Sequence, residues 1–233
     1  MTASTPATLL QKAFEHCRDM DGPINERLAR YAQTLMTINP DFARAVERLI
    51  ERLKANDCGD GAPNIGETMP GFALPDEHGR IVRLDQLLEN GPAAVMFHRG
   101  HWCPYCRINL AAIARHGDEI AAIGGQLVAI TPETQAFNAR FKSEADARFP
   151  VLTDVDNGYA LSLNLAIWIG QELKKMMSDR GRSLADSQGN DTWMLPIPAT
   201  FVVGRDGRIT ARFVDPDFRT RMDLDHLIEA MKQ

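Results

Sequence analysis

Cys103 and Cys106 stand three residues apart in "FHRGHWCPYCRINL" (97–110), and two thiols at that spacing admit three kinds of chemistry. They form a redox pair, half of a metal site, or two buried thiols that only pack. The flanking residues favour the first. An apolar run, "AAVMFH" (93–98), leads straight into the motif and a helical pattern follows it. Cys103 then falls at the helix cap and Pro104 at the first helical position, where a missing N–H costs nothing. Unpaired N–H groups and the positive end of the helix dipole favour a thiolate there. A lowered thiol pKa makes that sulfur an attacking nucleophile. Cys106 lies one turn further on the same face, so attack can be followed by resolution into a disulfide.

The metal reading rests on His98, His101, Cys103 and Cys106, four nitrogen and sulfur ligands that would suit tetrahedral zinc. His98, however, ends a buried strand and need not point the same way. Zinc ribbons and fingers also bring a second ligand pair from a distant turn, and the chain has no second Cys-x-x-Cys. No metal and no organic cofactor is expected. Cys17 and Cys58 are isolated and read as free thiols. "DVDNGY" (154–159) fails as a calcium loop, with Tyr159 where glycine is required and Leu165 where glutamate is. There is no phosphate loop or dinucleotide fingerprint.

The elements that must position the pair are legible from patterning. The chain has 233 residues, 44% hydrophobic, 24% charged, with a net charge of −5, so it can bury a core and is poorly suited to general nucleic-acid binding. No run approaches the ~20 apolar residues of a membrane span, and the N-terminus lacks the pattern of a secretory signal. A cytoplasmic chain is expected, in which four cysteines do not suggest a disulfide framework. Residues 1–60 read as a helical extension. In "INERLARYAQTLMTI", Leu28, Tyr31, Leu35 and Ile38 recur at helical spacing; in the next helix, capped by Asn39, so do Phe42, Val46, Leu49, Ile50 and Leu53. Such stripes serve as core or as a subunit contact, which would make a homodimer.

Residues 61–233 read as an α/β domain. Strand candidates are "AAVMFH", "QLVAIT" and "FPVLTD", with a helix from Pro104 to about Ile123 and another in "PETQAFNARFKSEA". "IGQELKKMMSDRG" and "MDLDHLIEAMKQ" are helical, and "ATFVVGRDGRITARFV" is a hairpin turning at Arg205-Asp206-Gly207. Alternating strands and helices predict a central mixed sheet flanked by helices.

"WCPYC" after a buried strand resembles the active site of the thioredoxin superfamily, and Trp102 resembles the tryptophan before its cysteine pair, a shield for the site. "PATFVVGRDGRI" (198–209) resembles that superfamily's later strand, which implies that Pro198 is cis and faces the cysteines. "FHRGHWCPYC", "LPIPATFVV", "DGRI" and "FVDPDF" together resemble the peroxiredoxin-like AhpC/TSA family. "IGETMPGFALPDEHGRIVRLDQL" resembles its opening hairpin and helix, and "AITPE" and "FPVLTD" its middle segments. The resemblance covers roughly residues 63–233 and implies a thioredoxin-like fold.

Typical peroxiredoxins carry Pro-x-x-x-Thr-x-x-Cys. That register places Cys106 at their cysteine, Cys103 at the threonine and Arg99 at the proline. Their arginine before the later strand is replaced here by Pro198. The resemblance thus implies a thiol peroxidase acting on hydrogen peroxide or organic hydroperoxides, recharged by a thiol reductant such as the thioredoxin or glutathione system. The alternative is dithiol–disulfide exchange on proteins. A third reading is an interaction protein built on the same scaffold, marked by an inert pair. Cys103 is expected to attack and Cys106 to resolve; the peroxiredoxin register gives the reverse. Arg99 is the nearest guanidinium and would stabilise charge as an O–O bond breaks. Thr200 would offer a hydroxyl, His101 would favour a thiolate when protonated, and Arg219 or Arg221 would return to the site. Each also has a bland reading: an ion pair, a strand former, a loop residue.

Overall fold

The computed structural model describes residues 5–232. Three helices come first: α1 (Pro6–Asp19), α2 (Ile24–Ile38) and α3 (Pro40–Lys54). Asn39 ends one and starts the next, its Oδ1 accepting the Phe42 N–H at 3.4 Å. A short antiparallel pair follows, β1 (Ala73–Pro75) with β2 (Ile81–Arg83), and then α4 (Leu84–Asn90). The central sheet is built from β3 (Ala93–Phe97), β4 (Gln126–Thr131) and β5 (Val151–Thr153), joined through α5 (Pro104–Arg115), α6 (Gly117–Ala122) and α7 (Gln135–Glu144). After α8 (Gly158–Ser162), β6 (Ala166–Trp168) pairs with β7 (Met194–Pro196) around α9 (Gln171–Ser178) and α10 (Leu184–Gln188). The hairpin of β8 (Ala199–Val203) and β9 (Ile209–Val214) completes the sheet, and α11 (Leu224–Ala230) closes the chain's ordered elements.

The sheet order is β5-β4-β3-β8-β9. β3 lies at its centre, parallel to β4 and antiparallel to β8, and all five of its residues are buried. Period-two alternation divides them between two cores. Ala94 and Met96 face one core, with α5 and the N-terminal helices; Val95 and Phe97 face the other, with Phe201, Tyr159 and Leu163. Phe14, Leu28, Leu49 and Leu53 of the first three helices are at most 5% exposed and join the same core as Cys103 and Cys106. Each such side chain contributes roughly 1.5–3 kcal/mol by leaving water, so burial fastens α1 and α2 onto α5, and α3 onto α2 and α9. The helix expected over 104–123 is broken in two at His116, whose φ of −98° and ψ of 5° end α5. Ile113 and Ile120 remain buried on either side, so the apolar pattern runs unbroken across the break.

The entry to β3 depends on Gly91. A Cβ at this position would sit 1.8 Å from the Gly124 carbonyl oxygen, backbone against backbone with no side chain able to yield. Gly91→Ala is expected to cost about 3 kcal/mol and to lower Tm by about 6–12 °C. A thermal unfolding curve within 2 °C of wild type would show that the crossing is looser than this geometry requires.

Candidate active site

The segment 98–103 carries the chain from the sheet to the first turn of α5. Gly100 permits the passage: its φ is +127°, and a Cβ there would lie 2.5 Å from Glu133 Cδ. Cys103 caps α5 in extended conformation with Pro104 as the first helical residue. Both cysteines are free thiols, 1% and 0% exposed.

Two donors converge on Cys106. The Arg99 amide donates to its Sγ at 3.3 Å, and Arg221 Nη2 does so at 3.4 Å. Cys106, one helical turn from Cys103, thus has both donors on its own sulfur, and Cys103 takes their influence through it. Burial by itself raises the Cys103 thiol. The hydrogen bond from Cys106 and the Arg99 and Arg221 guanidiniums outweigh burial and hold Cys103 well below the ordinary thiol range. Burial, the bond to Cys103 and that residue's charge push Cys106 well above it. The two thiols therefore titrate as a coupled pair in which the proton is held by Cys106 in preference to Cys103.

Arg99 is 5% exposed, with its guanidinium 3.7 Å from the Phe218 ring centroid and 4.9 Å from that of Trp102. Those ring faces compensate part of the cost of burying a cation. Trp102 is half-buried, and its indole N–H has no partner among the described residues; the same holds for the Tyr105 hydroxyl and Arg221 Nε. Tyr31 of α2 meets Tyr105 edge-on at 5.3 Å, and Tyr105 meets Phe218 at 5.7 Å, so an aromatic row from the N-terminal helices runs to Arg99. A crevice of about 10 Å³, room for about one water-sized molecule, is lined by Arg99, Pro198, Phe218 and the α3 residues Leu49 and Leu53.

Other expected residues fall elsewhere. Pro198 is not cis: among the described residues there is no cis peptide bond. The Ile197 N–H is held on Leu165 O at 2.7 Å, and Pro198 takes the trans link, the X–Pro isomer preferred by about 0.5–1 kcal/mol. Pro198 borders the Arg99 crevice. Thr200 pairs with Met96 and so lies on the α5 side of the sheet, without a hydrogen bond to either cysteine among the described residues. The His101 ring is engaged by Glu144 at 3.1 Å. His98 bonds Asn109 Oδ1 at 3.1 Å, and burial pushes it down to about 3, keeping it neutral. The two histidines thus diverge from the sulfurs. Of the two late arginines, Arg221 reaches the pair, whereas Arg219 is taken up by Asp217 at 2.8 Å and by Glu47 of α3.

Glu133, beside the 98–103 segment, is a residue that sequence reasoning passed over. It is fully buried, its Oε2 accepts the His101 N–H, and Oε1 has no partner among the described residues. Burial pushes its carboxyl up to about 7, with the Cys103 charge adding to the rise. The available signal was an acid two residues beyond a mostly apolar buried strand, in "AITPE".

Residues 65–212 match the AhpC/TSA family. The 1-Cys peroxiredoxin PER1 of Triticum aestivum is 25% identical over 174 residues, covering 72% of this chain and 71% of its own. Among solved structures, peroxidoxin BcpB from Mycobacterium tuberculosis matches with a TM-score of 0.55 at 20% identity, covering 72% of this chain and 96% of that one. A mutant of peroxiredoxin 6 from Arenicola marina matches with a TM-score of 0.56 at 15% identity, covering 72% of each. These likenesses show a thioredoxin-like fold. The family match stops short of α1, α2, α3 and of Arg219 and Arg221.

Proposed function

The chain belongs to the AhpC/TSA family of thiol peroxidases, and from that premise we propose that it reduces hydrogen peroxide or small organic hydroperoxides through a Cys103–Cys106 disulfide. The Cys103 thiolate attacks one peroxide oxygen. The O–O bond breaks, Cys103 becomes a sulfenic acid, and the other oxygen leaves as hydroxide or alkoxide and takes up a proton. Cys106 then attacks the sulfenic sulfur, water leaves, and a disulfide remains. An external dithiol, or two monothiols, of the thioredoxin or glutathione kind returns two electrons and two protons by exchange.

The observation that carries this reading is a cysteine pair capping a helix, with the Arg221 guanidinium and the Arg99 amide bonded to Cys106 and both buried arginine charges favouring a Cys103 thiolate. Fixed positive charge in a site closed to water is worth most where negative charge develops on the departing oxygen. The unpartnered N–H and O–H groups of Trp102, Tyr105 and Arg221 suit a small polar oxidant. Burial weighs against exchange with folded protein disulfides, which requires a sulfur at the surface. The wheat relative is named for a single cysteine, so the second step rests on this chain's own geometry. One observation favours the reverse order: Cys106, not Cys103, accepts the Arg99 and Arg221 N–H groups, and in that reading Cys106 attacks.

Stopped-flow oxidation of the pre-reduced protein by hydrogen peroxide, followed by tryptophan fluorescence, tests the proposal. The expected rate constant lies orders of magnitude above that of a free thiolate. A rate equal to a free thiolate's would leave a good nucleophile without O–O catalysis, and disulfide exchange would replace peroxidase as the function.

A further inference from the structure

We propose that the N-terminal helices complete the active site, with Asn25 of α2 acting as a positioning residue that holds Arg221 on Cys106. The inference takes Cys103 and Cys106 as the reacting pair and goes on to say what arms them.

Arg221 lies in an irregular segment between β9 and α11, so no ladder or helix fixes its backbone. Asn25 supplies what is missing. The Arg221 N–H donates to Asn25 Oδ1 at 2.8 Å, and Asn25 Nδ2 donates to the Arg221 carbonyl at 3.0 Å. One amide side chain thereby satisfies both backbone groups of a residue 196 positions away. The neighbouring turn is held by the same helices, because Arg219 pairs with Glu47 of α3. At the other end, Arg221 Nη1 donates to the carbonyls of Phe218 and Thr220 at 2.6 Å each, which leaves Nη2 on the Cys106 sulfur.

The charges support the same assignment. Arg221 is 3% exposed, and among the described residues no carboxylate lies within ion-pair distance of it. A buried cation without a counter-ion is costly, so the charge shared by the two sulfurs is its partner. Carbonyl contacts fix the guanidinium's direction, but only the backbone clamp fixes its distance from Cys106. Asn25 is itself exposed; replacing it removes two hydrogen bonds and little packing. Both ends of the clamp fall outside residues 65–212, so it is an addition to the family-matched segment.

The test is the pH dependence of thiolate absorbance at 240 nm in wild type, Asn25→Ala, Arg221→Gln and the double variant. Arg221→Gln is expected to move the pair's first midpoint upward the most. Asn25→Ala moves it in the same direction by less, and slows peroxide oxidation about tenfold. In the Arg221→Gln background, Asn25→Ala adds no further shift, because it acts only through the arginine. A wild-type midpoint in folded Asn25→Ala overturns the proposal, as does an equal further shift in the double variant. Should Asn25→Ala fail to fold, Glu47→Gln loosens the same segment and carries the test with the same signs. If the wild type meets peroxide no faster than a free thiolate, the peroxidase reading falls, while the midpoints still decide the clamp.

Discussion

Cys103→Ser abolishes sulfenic acid formation and peroxide consumption, whereas Cys106→Ser still forms sulfenate, accumulates it, and turns over only when a small thiol is added. This is the largest effect expected anywhere in the chain. Serine at the helix cap retains the geometry but has no ionised sulfur, and loss of a nucleophile costs on the order of 10⁴-fold or more. Labelling with a sulfenate-specific reagent, followed by mass spectrometry of each variant, reads the result directly. The sign follows from the charge distribution: the Cys106 thiol and both guanidiniums favour a negative Cys103, while Cys106 keeps its proton. Sulfenate on Cys106 in Cys103→Ser would assign the attack to Cys106 and make its two N–H contacts the catalytic ones. Unimpaired turnover in both variants would remove the pair from the cycle altogether.

Arg99→Gln is expected to lower the second-order rate constant for peroxide by about 10²–10³-fold, the cost of deleting one donor aimed at developing charge. Two effects combine. The guanidinium's positive charge favours loss of the first proton from the pair, so its removal raises the midpoint and shrinks the thiolate fraction. The acidic limb of the pH–rate profile should therefore move upward. The same guanidinium would also meet the departing oxygen, a loss that persists at high pH where the thiolate is fully formed. Arg99→Lys restores charge but not the planar fork against Phe218, and should recover only part of the rate. An Arg99→Gln rate within twofold of wild type at every pH would reduce Arg99 to a structural cation on two rings.

The parts of this fold that the sequence makes legible are those with an unbroken physical signal. β3, β4 and β8 are buried on both faces and read as apolar runs; the β8–β9 hairpin announces itself at Arg205-Asp206-Gly207, where Gly207 adopts a φ of +81°. Cys103 and Pro104 mark the start of α5 because cap chemistry is local. β6 and β7 have three residues each, too few to establish a period. The break at His116 is masked because the apolar face continues through it. Helical spacing shows that Tyr31 is buried but not that Tyr105 is what buries it. Arg221 is the hardest case, since it reaches Cys106 from an irregular segment 115 residues away, and no periodicity links the two. The cis Pro198 implied by resemblance is absent among the described residues, and no residue pattern around it argues for that isomer over the intrinsically preferred trans form.

The span of 196 residues between Asn25 and Arg221 also bears on when the protein becomes reactive. A nascent chain emerging from the ribosome carries Cys103 and Cys106 long before Arg221 exists, and an unfolded copy holds them as ordinary thiols near pKa 8.5, according to the model-peptide value. On the proposed assignment, full reactivity is reached only when the two distant segments meet. High peroxide sensitivity would then belong to the finished tertiary structure, and a misassembled molecule would keep only the slower chemistry of an ordinary thiol.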